Sequence, residues 1–300
     1  AEFHAKSATF NGDIYANDSG FTSFANATAV NGQVRVLDGS SALFASADQD
    51  DAGTVTIKST ELDALTATSD ATEVSKIDIR QQAYINSQGD EAYHADKQGI
   101  RTHSAIRAHR NSEIALYKAG NIYGDVIAGQ GVEDSQLPGG KVLIATTDSA
   151  VLKGDYFAGN GGSVDLTLNG WSSFEGRIDD YADATLTNDV VFRPGEFDIP
   201  VTTGGTVNLT LNNSATWTAR GQSLVSTLAF GESGKGVVDL TKEAANSVTV
   251  REVSGNGVFN MRLNAADHTK SDMLYIGTNH GVQTVNIVNG IEGGFESITE

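Results

Sequence analysis

The sequence predicts an all-β protein, a solenoid of stacked strands with coils of about 21–22 residues. One phrase is written twice: GGSVDLTLNGW begins at Gly161 and GGTVNLTLNNSATW begins at Gly204, 43 residues later. There are only 3 Pro in 300 residues, and no long stretch has the i, i+3, i+4 apolar spacing of a helix. Short strands cannot bury their apolar side alone, but stacked coils bury a continuous core. These observations predict a parallel β-helix.

The period is visible in pairs of aliphatic residues that are separated by one position. Successive copies with a step of 21 or 22 in residue number are Val34/Val36, Val55/Ile57 and Ile77/Ile79, and further along Val142/Ile144 and Val164/Leu166. The step of 43 between the two long phrases is interpreted as two such coils. A second element, glycine followed by a polar and then an apolar residue, recurs in NGDIYAND, YGDVIAGQ, KGDYFAGN and EGRIDDYA. Its Gly154 and Gly176 are separated by the same step.

Charge and composition exclude several classes of protein. Lys and Arg number 20 against 38 Asp and Glu, a net charge of −18, which argues against a general nucleic-acid binder. The absence of cysteine excludes disulfides, cysteine-ligated zinc and thiol catalysis. No run of 18 apolar residues and no basic-plus-apolar N-terminus occurs. We therefore expect a mature or excised piece from which an export signal has been removed.

One region, residues 91–120, differs from the acidic remainder of the chain. It has five Lys or Arg against three acidic residues, and it holds three of the six histidines. Regular spacing also fails here. Ile77 and Ile79 are next matched clearly by Ile114 and Leu116, a step of 37, which predicts a loop insertion around residues 80–113. Alternatively, Ile100 continues the ladder at a step of 21 after Ile79.

The basic region is the first candidate ligand-binding site, because guanidinium groups pair with sulfate and carboxylate oxygens and an aromatic ring adds a stacking face. Its predicted ligand-binding residues are Tyr93, His94, Lys97, Arg101, His103, Arg107, His109 and Arg110. The alternative is that these cations balance carboxylates on neighbouring coils. No strand or helix spacing would bring the three histidines together, so we predict no metal site.

Tryptophan marks a second candidate site. Trp171, with Phe174, Arg177 and Tyr181, is predicted to form a patch that stacks on sugar rings. Trp217 is interpreted as a core residue. The asparagines Asn169, Asn212 and Asn213 are interpreted as turn or ladder residues rather than ligands.

Catalytic residues are sought in two places. The string NDSGF around Ser19 is similar to the nucleophile loop of trypsin-like enzymes, but the coil pattern leaves no room for a protease domain, and Ser19 is interpreted as a turn residue. The run DQDD supplies Asp48, Asp50 and Asp51, which a polysaccharide lyase would need for proton abstraction or calcium binding. The alternative interpretation is that DQDD is a solvated turn between coils. We predict no cofactor and no catalytic residue.

The C-terminal third carries a resemblance to a known family. An ATW at Ala215 is followed by a separated hydrophobic strand, and a G-x-G-x-F-x-x-R-x run spans 255–263. SD-x-L at 271–274 then precedes a final V-x-V/I-x-N-x-G. These features resemble the closing segment of type V autotransporter passengers, in particular the AIDA-type and pertactin-like self-associating adhesins.

The resemblance implies a right-handed parallel β-helix carried to the bacterial surface, through the periplasm, by a separate C-terminal membrane barrel outside these 300 residues. It implies that 1–205 is adhesive passenger and that 206–300 is a C-terminal cap that acts as an autochaperone. The expected function is an adhesin for host matrix proteins or glycosaminoglycans, or for another copy of itself in aggregation and biofilm. The alternative from another class is a β-helix polysaccharide lyase or hydrolase acting on acidic glycans.

Overall fold

The structure is a computed structural model. It describes residues 2–45, 53–59, 62–86, 104–129, 137–181, 203–243 and 245–292, with side chains as far as 288. Almost every described residue with regular structure lies in a strand, and every pairing between these strands is parallel. One 3₁₀ helix, His268–Lys270, interrupts the described strands. The prediction of a parallel β-helix is confirmed.

The chain passes repeatedly over three sheets, here called faces 1, 2 and 3 in the order in which it visits them, and one circuit is called a coil. Long strands bend across a corner and serve two faces. The strands of face 1 are β1 (Glu2–Ala5), β4 (Phe21–Phe24), β7 (Ser41–Phe44), the first parts of β10 (Ser75–Ile85) and β12 (Ser112–Tyr123), β14 (Lys141–Thr146), β17 (Ser163–Leu168), β20 (Thr206–Leu211), and the second parts of β22 (Gln222–Phe230), β24 (Ser247–Ser254) and β26 (Met273–His280).

Faces 2 and 3 complete each coil. The strands of face 2 are β2 (Ala8–Asn11), β5 (Thr28–Asn31), β8 (Thr54–Lys58), the second parts of β10 and β12, β15 (Val151–Lys153), β18 (Ser173–Gly176), β21 (Thr216–Ala219), β23 (Val237–Asp239), β25 (Gly257–Asn264) and β27 (Gln283–Glu292). The strands of face 3 are β3 (Ile14–Ala16), β6 (Val34–Leu37), β9 (Leu65–Thr68), β11 (Ser104–His109), β13 (Asp125–Gly129), β16 (Tyr156–Ala158), β19 (Ile178–Asp179) and the first parts of β22, β24 and β26.

The core lies inside the solenoid and is filled by the inward residues of all three faces. Phe24 and Phe44 stack with ring centroids 4.7 Å apart, and Phe174 lies between Tyr156 and Trp217 in a second aromatic column. Trp217 is fully buried, and its indole Nε1 donates to the carbonyl of Gly176 at 3.0 Å. The interpretation of Trp217 as a core residue is confirmed.

The predicted coil spacing is confirmed in the middle of the chain. Val142 pairs with Val164, and Ile144 pairs with Leu166, so these predicted copies are stacked neighbours. The longer step after Ile77 is confirmed as well, because Ile77 pairs with Ile114. Residues 80–85 and 104–109, within the predicted insertion of 80–113, lie in β10 and β11. Residues 87–103, Ile100 among them, lie outside the described residues.

Three other spacing predictions were wrong, and one of them is the step from Val55 on face 2 to Ile77 on face 1. Val164 pairs directly with Val207, so the longer step between the two similar phrases is one long coil rather than two. Val55 lies on face 2 below Thr28, whereas Val34 lies on face 3. The step between these two valines therefore does not connect stacked neighbours. Alternation of apolar and polar residues is the same on every face, so it cannot tell which strand lies above which.

The glycine–aspartate element turns the chain from face 2 to face 3. The Asp125 carboxylate accepts from the backbone N–H of Asp155 at 2.8 Å, and Asp155 accepts in the same way from Arg177 at 2.8 Å. Each carboxylate thus caps the following coil. Gly154 has φ +149°, and a Cβ on the stacked Gly176 would overlap the Gly154 carbonyl oxygen. The corner therefore requires glycine, which explains why this element recurs.

Candidate functional site

Arg107 is the first candidate ligand-binding residue of the basic region that lies among the described residues. It lies on β11 in face 3 with its side chain directed outward, yet it is only 8% exposed. Its Nε lies 2.8 Å from Asp63 Oδ2, and Nη2 donates to Ser104 Oγ at 3.0 Å. Asp63 also accepts from the Ser104 backbone N–H at 2.5 Å. Arg107 thus ties one coil to the next.

Arg110 and His109 have similar surroundings. Arg110 forms an ion pair with Asp70, and its own side chain is largely buried. His109 is buried, and this burial together with the positive charges of Arg107 and Arg110 lowers its pKa to about 3. The imidazole is therefore neutral at neutral pH. A neutral, buried ring adds no charge to a ligand surface.

These three residues do not form an exposed surface that could bind sulfate or carboxylate groups. Their geometry matches the alternative, in which the cations balance carboxylates on neighbouring coils. The other predicted ligand-binding residues of the basic region lie outside the described residues, and their role stays a prediction. They are Tyr93, His94, Lys97, Arg101 and His103. Within the described residues, no group of three or more His, Cys, Asp or Glu is placed to hold a metal ion.

Trp171 is the most exposed large hydrophobic residue among those described, with 79% of its surface open to solvent. It lies at the corner between β17 and β18, where its backbone N–H donates to the Asp148 carbonyl at 2.6 Å. The predicted neighbours do not join it. Phe174 belongs to the core, Tyr181 is buried, and Arg177 is paired with Asp179. The four-residue stacking patch is therefore wrong, and Trp171 projects by itself.

Ser19 and the asparagines have structural roles. Ser19 has φ 59° in a corner, as the turn interpretation predicted, and its hydroxyl lies 3.4 Å from Glu73 Oε2. The Asn212 amide donates to Asn169 Oδ1 at 2.9 Å, and Asn169 in turn donates to the Thr146 carbonyl at 2.8 Å. Asn213 occupies a turn with φ 58°. The ladder and turn interpretation of these residues is confirmed.

A buried acidic pair on face 3 was missed from the sequence. The Asp180 carboxylate accepts from Ser226 Oγ at 2.6 Å and from Arg251 Nη2 at 2.5 Å. Burial raises the pKa of Asp179, although the neighbouring Arg177 opposes the shift. Both carboxylates are almost fully enclosed, so they join three coils rather than face a substrate. The only sign of this pair in the sequence is the string DDY within EGRIDDYA.

The motifs that carry the family resemblance meet in the closing coils. Asp272 Oδ2 accepts from the backbone N–H of Arg262 at 2.8 Å, and Asp272 Oδ1 accepts from the backbone N–H of Asn246 at 3.0 Å. The Arg262 guanidinium lies 3.4 Å from the same carboxylate. Ser271 Oγ accepts from the Asn264 N–H at 2.9 Å. The Ser-Asp pair thus closes the loop between β25 and β26.

The predicted acidic candidates Asp48, Asp50 and Asp51 lie outside the described residues, so the structure says nothing of their arrangement. The described part of the chain contains no helix with the length and apolarity needed to span a membrane. Comparison of the chain with protein-family models, with curated proteins and with solved structures found no match.

Proposed function

We propose that this chain is passenger material of a bacterial autotransporter, exported through the periplasm to the outer-membrane surface, where it acts as an adhesin rather than as an enzyme. The observation that carries the proposal is the long parallel solenoid, which repeats polar side chains coil after coil. An example is the column in which Asn208 donates to Asp165 at 2.7 Å and Thr227 donates to Asn208 at 2.7 Å. Such a column offers many weak contacts along one direction.

Repeated weak contacts suit adhesion because many copies on a cell act together. Binding that is negligible for one copy becomes strong when neighbouring copies engage the same surface. The partner is host matrix protein or glycan, or another copy of the chain on a neighbouring cell. The resemblance of the closing coils to autotransporter passengers supports the location. Arg262 and Asp272, which belong to its motifs, bond to each other in these coils.

The alternative function, cleavage of acidic polysaccharides, depends on residues outside the described part of the chain. Two buried carboxylates among the described residues, Asp179 and Asp180, are enclosed by Arg177, Arg251 and Ser226. A uronate ring has no access to them. The adhesin is therefore the proposal that the described geometry favours.

The test compares bacteria that display the chain with bacteria that carry an empty display vector. Attachment to immobilised matrix proteins and glycans is measured, together with the sedimentation of cells that clump. We expect attachment or clumping only with the displayed chain. Release of unsaturated products from uronate polymers by the purified chain, without attachment or clumping, would overturn the proposal in favour of the lyase.

A further inference from the structure

Face 2 is distinguished by its charge. In the first six coils its described strands contain no Asp or Glu, although the chain has 38 acidic residues. The same strands contain Lys58, Lys118 and Lys153. Carboxylates such as Asp13, Asp63 and those of the glycine–aspartate corners lie at the turns instead, where they cap backbone N–H groups. In these six coils the charged residues of the face 2 strands are therefore all positive, on a strongly negative molecule.

Tyrosine rings lie among these lysines. Tyr84 is half-buried, and a Cβ on Gly120 would lie only 2.9 Å from its Cε1, so the ring lies against the backbone of the next coil. Tyr123 is half-buried and pairs directly with Lys153 in the register of β12 and β15. We call Lys58, Tyr84, Lys118, Tyr123 and Lys153 the lysine–tyrosine surface.

The nearest carboxylate on face 2 does not cancel this charge. Glu175 stacks on Lys153, but the same carboxylate is held by Arg220 and lies 3.7 Å from Lys242 Nζ. Two further cations therefore share its negative charge. Lys118 is exposed, and it has no ion pair with another described residue. The lysine–tyrosine surface therefore keeps a net positive charge.

From these observations we infer that the lysine–tyrosine surface binds a sulfated polysaccharide; this inference rests on the proposed adhesive function and names its ligand. Adjacent strands are about 4.8 Å apart, so the lysines from the third to the sixth coil span about 14 Å along the rod. Lys58 and Lys153 share one column of face 2, and Lys118 lies at the opposite edge of this face. The outward side of a sheet is an open surface, and a polymer that lies across it can contact charges at both edges. Sulfate groups supply that charge at every physiological pH, and sugar rings pack against tyrosine.

The experiment measures binding of the purified chain to immobilised heparin, with hyaluronan as the carboxylate-only polymer and dextran as the neutral one. The test variant replaces Lys58, Lys118 and Lys153 with Gln. The matched control replaces Lys76, Lys141 and Lys235 with Gln; these lysines are exposed but lie outside the lysine–tyrosine surface. Both variants lose the same charge, so a difference between them reports position. Circular dichroism and thermal unfolding verify that both variants are folded.

We expect heparin affinity to fall about tenfold or more in the test variant and less than about twofold in the control, with a weaker dependence on salt in the test variant. Tyr123→Ala should weaken binding as well, whereas Tyr15→Ala, an exposed tyrosine on face 3, should not. Equal losses in both lysine variants, or equal binding of hyaluronan or dextran, would overturn the inference. Displayed cells that still attach or clump in that case would leave the adhesin proposal standing.

Discussion

Faces 2 and 3 are built from the same kind of alternating strand, but from the third to the seventh coil their outward side chains have opposite surroundings. On face 3 the outward residues stacked from Thr66 through Arg107, Ile127 and Phe157 to Asp179 are all 8% exposed or less. On face 2 the outward positions of the same coils are half-buried or exposed.

This difference in exposure determines whether a basic side chain is buried in an ion pair or lies in contact with water. In the enclosed coils of face 3 an outward cation such as Arg107 is paired with a carboxylate, because an unpaired buried charge is very costly. On face 2 of the same coils Lys58 and Lys153 are half-buried, and Lys118 is exposed to water. The face on which a basic residue lies is therefore more informative than the local excess of basic residues.

The largest effect should come from breaking the enclosed pair on face 3. Arg107→Ala leaves Asp63 partly buried without its guanidinium partner, and we expect the free energy of unfolding to fall by about 3–5 kcal/mol. Denaturant unfolding measures the change. The control is Arg80→Ala on face 1, whose ion pair with Asp78 is open to solvent, with an expected cost of at most about 1 kcal/mol. Similar losses in both variants would contradict the comparison of environments.

Aromatic residues sharpen the same comparison. Phe157 contacts Ile127 and Tyr181 in a small cluster on the outward side of face 3. Phe157→Ala should cost about 3 kcal/mol, because it leaves a cavity in enclosed surroundings. Tyr123→Ala on face 2 should cost about 1 kcal/mol or less. Thermal unfolding of the two variants checks the order, and a larger loss for Tyr123 would show that face 2 is the enclosed one.

Acid should weaken the region around His109. Its pKa in the folded chain is about 3, below the ordinary value of about 6.5, so between these values the unfolded chain binds a proton that the folded chain does not. The stability contributed by the neutral ring is therefore present above pH of about 6.5 and is lost on acidification, at up to about 1.4 kcal/mol per pH unit.

The measurement is the slope of unfolding free energy against pH in wild type, in His109→Gln and in His280→Gln. His280 is 58% exposed and serves as the control. We expect a shallower slope only for His109→Gln, whatever its absolute stability. Identical slopes in all three proteins would show that the neutral, buried His109 does not cause the loss of stability in acid.

Much of the fold can be predicted from the sequence, because alternation and turn residues are local signals. The solenoid, the core position of Trp217 and the ladder of Asn169 and Asn212 all follow from them. The order in which strands stack on one another cannot be predicted from these signals, because each face repeats the same alternation. Long coils add to this difficulty, as the direct pairing of Val164 with Val207 shows.

The candidate site was harder to predict for a related reason. Alternation places Arg107 on the outward side of a strand, and outward residues are normally taken to be exposed. The sequence carries no signal that the outward side of face 3 is enclosed as well. The same reasoning overlooked Lys58, Lys118 and Lys153, which are far apart in the sequence and come to lie on one face only through the stacking of coils.

The most direct test of this account measures two properties of two single variants, Arg110→Gln beside face 3 and Lys118→Gln on face 2. Unfolding free energy and heparin affinity are determined for both, since each variant removes one positive charge. Because Arg110 is largely buried beside Asp70 whereas Lys118 is exposed, we expect Arg110→Gln to lose stability and to keep its heparin affinity. Lys118→Gln should keep its stability and lose affinity. The reverse pattern, with Arg110 needed for heparin and Lys118 needed for folding, would contradict the account.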